Sequence, residues 1–401
     1  MFDDPRTLEE MAEEIRRFRE FLGEDAVAEL LERYAQMVSL VERQPWRRVR
    51  LIHANPLAEG LWALAEAAAD RQVWGPHAYA VAHLCVAWCD LLGRHPEIDH
   101  DICRSRLLDD DPVPIIQEIL IASHFERNGF HVTPTSLVSN ESPDLLVATG
   151  QARIGVEIKV FGPSTGRKVG INEFNRLGEE LFRQVTDRGP FLVTVQCRDR
   201  LWPADIMPLA TRLTEAIASR LDLPAFQFGD YKIAIDRAMP RTVSDAQRQI
   251  RTLMDRHEGT HVAFWEAPFG AADRQLSRFR VLACLSERED TVPRALQDRI
   301  GDAATQLDPA LPGIVVIHFR EQIDWTSFTS PNTIEVLATR AFDRKSTRNV
   351  GALVFSSEPP LKASDGLIRL GAPAYVFTHP EADHPVPDSF FETLRSRAPR
   401  G

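Results

Sequence analysis

PDLLVATGQARIGVEIKVF, residues 143–161, decides how the rest of the chain reads. Gly150-Gln151 is a turn signal between two runs rich in β-forming residues, so Pro143–Thr149 and Arg153–Phe161 are expected as antiparallel strands of one hairpin. In the second strand the period of two sets Val156, Ile158 and Val160 on one face and Glu157 and Lys159 together on the other. Asp144 follows Pro143 at the start of the first strand, where antiparallel pairing brings its carboxylate beside Glu157.

Two convergent carboxylates repel each other unless a cation sits between them, and oxygen ligands suit a hard ion such as Mg²⁺ or Mn²⁺. Such an ion polarises a phosphodiester and lowers the pKa of its bound water. Lys159 beside it is suited to orient or deprotonate that water, or to neutralise a charged transition state. The lysine is informative in itself, because only five of the 47 basic residues are lysines (Lys159, Lys168, Lys232, Lys345 and Lys362). A third acid comes from upstream. A helix is expected over about 112–128, ending at Asn128-Gly129, and Glu118 shares its apolar face with Ile115, Ala122 and Phe125. A carboxylate on a buried face needs a charge or a donor to point at.

Glu118-Ile-Leu-Ile-Ala-Ser-His-Phe-Glu-Arg-Asn-Gly-Phe-His-Val132, then Pro143-Asp144, then Glu157-Ile158-Lys159 resembles the PD-(D/E)XK nuclease superfamily. The resemblance covers about 50 residues closely and implies an α/β, restriction-endonuclease-like mixed sheet flanked by helices. It also implies that Asp144 and Glu157 hold Mg²⁺ (or Mn²⁺), that Lys159 is catalytic, and that Glu118 is an outer or water-bridged ligand. The implied activity is metal-dependent phosphodiester hydrolysis, with DNA favoured over RNA by analogy, in a setting such as restriction, phage defence or repair. A catalytically inactive member of the fold, serving as a nucleic-acid-binding or protein-interaction scaffold, is the competing reading. In that reading Glu157 and Lys159 are a solvated face and Asp144 a strand cap.

The superfamily core closes with a further helix and strand, and two segments fit: Leu181–Gln184 leading to 191–195, and Asp302–Leu307 leading to 313–317. Gln184 and Gln306 are the corresponding candidates for a side chain supporting the site. The second segment is favoured, which makes about 165–290 an insertion. The loop after the active strand, Ser164-Thr-Gly-Arg167-Lys168, offers two cations for a phosphate next to the scissile one, or is an ordinary solvated loop.

Outward from this core, apolar residues at helical spacing over 7–22, 25–43, 56–70 and 76–92 make residues 1–108 an all-helical module. It is a candidate surface for homodimerisation or a partner protein. The expected nuclease-like domain runs over 109–360, with an irregular, proline-rich tail over 361–401. A 44% hydrophobic and 26% charged chain of 401 residues is globular in composition. The net charge of -11 is concentrated at the N-terminal end, where residues 1–110 carry 13 Lys+Arg against 21 Asp+Glu. Phosphate binding therefore falls to local positive potential. No apolar run is long enough for a membrane span and no signal peptide is read, so a cytoplasmic protein is expected.

Five cysteines without a CxxC pair argue against a disulfide framework or zinc ribbon. Cys85 and Cys89, one helical turn apart near His83 and His95, fit plain helix packing better than a metal clip. His257-Glu-Gly-Thr-His261 spells a zinc-peptidase motif, but Gly259 reads as the end of a helix and His261 as the start of a strand. The cluster Trp46-Arg47-Arg48-Val49-Arg50 reads as an exposed helix-end patch.

Overall fold

The computed structural model describes residues 10–43, 55–70, 76–139, 141–150, 152–162, 164–185, 191–219, 225–236, 252, 261–265, 280–320, 331–357, 361–364, 367–370 and 374–391. The Trp46–Arg50 cluster and His257 lie outside them. The protein is an α/β chain in which a helical region precedes mixed sheets with helices.

The helical region comprises α1 (Ala12–Leu22), α2 (Glu24–Arg43), α3 (Pro56–Asp70), α4 (Pro76–Arg94) and α5 (His100–Leu107). Glu13 and Glu14 sit in the first turn of α1, where carboxylates suit the positive end of the helix. Its end is marked by Gly23 at φ +91. The Asp99 carboxylate caps α5 by accepting the N–H groups of Asp101 and Ile102. Trp88, Phe18 and Leu22 are buried among these helices.

The chain then runs through α6 (Val113–Arg127), β1 (His131–Thr133), the short α7 (Thr135–Ser139), β2 (Leu145–Thr149) and β3 (Ala152–Phe161). After β3 come α8 (Ile171–Gln184), β4 (Phe191–Cys197), α9 (Ile206–Ala218), β5 (Phe226–Phe228), β6 (Tyr231–Asp236), β7 (His261–Trp265) and β8 (Arg280–Ser286). The last part holds α10 (Val292–Gln306), β9 (Gly313–Phe319), α11 (Pro331–Phe342), β10 (Val350–Ser357), the ribbon β11 (Leu361–Ser364) and β12 (Leu367–Leu370), and β13 (Ala374–Thr378).

Two compact units result, one of residues 1–35, 54–162 and 296–401, the other of 36–53 and 163–295. In the first, six strands run in the order β1-β2-β3-β9-β10-β13. The central β3, β9 and β10 are parallel and the outer pairings antiparallel. β9 is buried along its whole length, as a strand flanked on both edges and covered on both faces should be. Gly313 opens it at a point of close approach: a Cβ there would lie 2.6 Å from the carbonyl oxygen of Asn349. The second unit has its own five-stranded sheet, β5-β6-β4-β8-β7. Its core gathers Phe174, Leu177, Leu181 and Phe182 of α8 with Leu209 and Leu213 of α9 and Val193, Val195 and Leu282 of the sheet.

The topology thus distinguishes the two helix–strand pairs. α10 leads to β9, the parallel neighbour of β3, whereas α8 leads to β4 in the other sheet. Side-chain pairs join α6 to the helical region before it, across residue 108. Arg94 and Glu126 pair at 2.9 Å, His95 and Glu126 at 2.5 Å, and Arg127 and Asp90 at 3.0 Å. After residue 360, the described residues include β11, β12 and β13. β13 pairs antiparallel with β10, and Phe377 packs on Phe355 with ring centroids 5.9 Å apart. Five residues flanked by prolines are too few for their alternation to stand out in the sequence.

All five cysteines are free thiols. Among the described residues, no helix is long and apolar enough to cross a membrane.

Candidate active site

The hairpin register sets the site. Leu145 faces Val156 across β2 and β3, and one step further along the same register Asp144 faces Glu157. The pairing is fixed by crossed hydrogen bonds: the Asp144 N–H donates to Glu157 Oε2 at 3.2 Å, and the Ile158 N–H donates to Asp144 Oδ2 at 2.7 Å. Lys159, two residues on and therefore on the same face of β3, donates its Nζ to Glu157 Oε1 at 2.6 Å. Glu157 is 1% exposed, and the strand around it is buried on both faces. On that face Glu157 is packed into the fold, while Lys159 is half-buried.

Glu118 comes from α6, which packs on β2 and β3. It is 4% exposed, with Ile115, Ala122 and Phe125 buried on the same side of the helix. Its Oε2 accepts the Ser136 hydroxyl of α7 at 2.8 Å, and its Oε1 pairs with the Arg106 guanidinium at the end of α5. Both carboxylate oxygens are engaged. Sequence reasoning missed Arg106 and Ser136. Neither belongs to the quoted motif, and only tertiary packing of α5 and α7 brings them to Glu118.

The electrostatics follow from that crowding. Burial, then the neighbouring charges of Glu118 and Glu157, push the Asp144 carboxyl up to about 7, against smaller opposing effects of the Ile158 N–H and Lys159. Glu157 is also raised, first by burial, with Lys159 pulling the other way. The cluster holds three carboxylates against two cations, and Asp144 is the carboxylate without a cationic hydrogen-bond partner among the described residues.

No three carboxylate, imidazole or thiol groups among the described residues form a ready-made cage for an ion. The donor chemistry of the Asp144–Glu157 pair nevertheless fits a hard divalent cation. The donors are oxygens, each with lone pairs left beyond its present hydrogen bond, and the strain on Asp144 is the kind that a cation relieves. The remaining candidates have these surroundings. Gln306 is exposed at the end of α10, and Gln184 is half-buried at the end of α8 in the second unit. Arg167 pairs with Asp290 at 3.0 Å and Lys168 with Asp199 at 3.2 Å, all within the second unit. Asp290 also accepts the Lys168 N–H at 2.7 Å, so this loop is anchored by its own ion pairs.

Neither a protein-family profile, nor a curated protein, nor a solved structure matches this chain.

Proposed function

We propose that this chain is a metal-dependent nuclease of restriction-endonuclease-like fold that hydrolyses phosphodiester bonds, with DNA favoured over RNA. The observation that carries this reading is the crosswise pairing of Asp144 with Glu157, with Lys159 on the same carboxylate. The order of elements supports it: α6, the meander β1-β2-β3, then α10 and β9 beside β3 follow the helix, meander, helix and strand of the superfamily.

Asp144 and Glu157 would hold Mg²⁺ or Mn²⁺. When bound, such an ion polarises the phosphodiester and supplies a water of lowered pKa. The protein's own groups do the rest. The Ile158 N–H fixes the Asp144 carboxylate, and the Asp144 N–H fixes Glu157, so both acids are oriented before any ligand arrives. Lys159 stands at the outer side of Glu157 with its side chain 21% exposed, accessible to substrate, where its ammonium can orient the attacking water or neutralise the charge that develops on phosphate.

The test is incubation with plasmid, single-stranded DNA and RNA in Mn²⁺ or in EDTA, comparing the parent with Lys159→Ala and Asp144→Ala. Cleavage of DNA that needs Mn²⁺ and is lost in both variants is the expected result. Cleavage unaltered by both substitutions overturns the assignment. A parent that binds nucleic acid and cuts none favours the inactive scaffold.

A further inference from the structure

Arg106 lies outside every stretch that the nuclease reading uses, yet it is the group that holds Glu118. Its Nη2 pairs with Glu118 Oε1. Its Nη1 is buried and has no hydrogen-bond partner among the described residues. It also lies within electrostatic reach of Asp144. An arginine that leaves the two N–H groups of Nη1 unsatisfied is held by charge rather than by a full set of hydrogen bonds, since an orphaned buried donor is costly. With Ser136 on the other oxygen, both oxygens of Glu118 already have partners, one of them a guanidinium that offsets its charge.

We infer that Arg106 is a positioning residue that keeps Glu118 out of the coordination sphere and supplies the charge a second cation would bring, making this a single-ion centre. The inference rests on the nuclease reading and adds the number of ions and the residue that sets it. Charge balance carries it. Glu118, Asp144 and Glu157, ionised, are offset by Lys159 and Arg106 to one net negative charge. One divalent ion turns this into one net positive charge, which the single negative charge of a phosphodiester neutralises. A second divalent ion would leave a buried surplus that the substrate cannot offset. A guanidinium suits this task because it stays charged at every working pH.

Calorimetric titration of the full chain with MnCl₂, without nucleic acid, tests the idea in the parent, Asp144→Asn, Glu118→Gln, Arg106→Gln and the Arg106→Gln/Glu118→Gln double variant. The parent should bind one Mn²⁺ per chain, and Asp144→Asn should abolish that binding. Glu118→Gln should change the parent's Kd less than about threefold but weaken binding about tenfold or more in the Arg106→Gln background, where alone Glu118 can ligate. Equal weakening in both backgrounds, or two ions on the parent, overturns the role of Arg106 while leaving the metal centre standing. No Mn²⁺ binding, or binding indifferent to Asp144→Asn, overturns the centre itself and the inference with it. Should Arg106→Gln not fold, crystals of the parent soaked in Mn²⁺ decide. Glu118 bonded to the ion refutes the inference, and an intact Arg106–Glu118 pair outside the coordination sphere supports it.

Discussion

Asp144 and Glu157 are tied to each other crosswise. Glu157 accepts the N–H of Asp144, while the Asp144 carboxylate accepts the N–H of Ile158, the residue that follows Glu157. The hairpin thereby forces two acids together and holds both, so their repulsion is built into the fold and not relieved by rotation of either side chain.

That repulsion has a pH signature. The folded Asp144 carboxyl is raised from 3.8 to about 7, so between those values the folded chain holds a proton that the unfolded chain has released. Stability then falls as pH rises through this window and levels off above it. In EDTA, Asp144→Asn should melt at the same temperature as the parent near pH 4 and at a higher one at pH 8, because the amide keeps an acceptor for Ile158 without the charge. Thermal melts that keep a constant offset across this range would show that Asp144 is not the strained group.

The same linkage predicts how a divalent ion acts. Mn²⁺ competes with the proton on Asp144, so the rise in melting temperature that it produces should grow from pH 5 to pH 8 and vanish on chelation. A scan of melting temperature against pH with and without Mn²⁺ measures this. Protection that is equal at both ends of the range would disconnect the ion from Asp144.

Lys159 should matter to turnover more than to folding. Removing a group that transfers protons or neutralises transition-state charge lowers rates by roughly 10²–10⁴-fold. Lys159→Ala should therefore lose kcat on that scale while circular dichroism and KM change little. A KM increase with kcat unchanged would make the lysine a substrate-binding group instead.

Gly313 should tolerate no side chain. Its Cβ would meet the Asn349 carbonyl at 2.6 Å and Leu307 Cδ1 at the same distance, at the junction of β9 with β10. Overpacking of this kind costs about 1–3 kcal/mol. Urea denaturation of Gly313→Ala measures it, and an unchanged midpoint would mean that the strands shift apart at no cost.

In the second unit, Asp290 anchors the loop after β3. It accepts both the Arg167 guanidinium and the Lys168 N–H, with the Arg167 and Asp290 side chains each 14% exposed. Asp290→Ala removes two hydrogen bonds to one half-buried carboxylate, worth about 1–3 kcal/mol. Urea denaturation and limited proteolysis around residues 164–169 are the checks, and unchanged stability with an equally resistant loop would show that the ion pair is ornamental.

Much of this arrangement was legible in the sequence, and for a physical reason. The facing of Asp144 and Glu157 follows from the strand period and the turn at Gly150, which are local facts. β9 coincides with the apolar run 313–319, since a strand buried on both faces shows as an unbroken hydrophobic stretch. Arg106 was not legible, because its meeting with Glu118 depends on how α5 docks, and nothing in the spacing of Arg104-Ser-Arg106 encodes that. Helix periodicity likewise carries no sign of the side-chain pairs from Arg94, His95 and Asp90 to α6. β13 was hidden by its brevity.

The strand bearing Glu157 and Lys159 takes its parallel neighbour from residues 313–319, beyond the whole of the second unit. A nascent chain emerging from the ribosome thus displays both acids and the amine while one edge of their strand is still open. Closing it requires bringing together segments far apart along the polymer, a slow step because long loops are entropically costly to close. Chains interrupted between β3 and β9 would carry every residue of the motif and lack the parallel strand beside it. Assembly order alone would then delay a rigid arrangement of these side chains until β9 has been made.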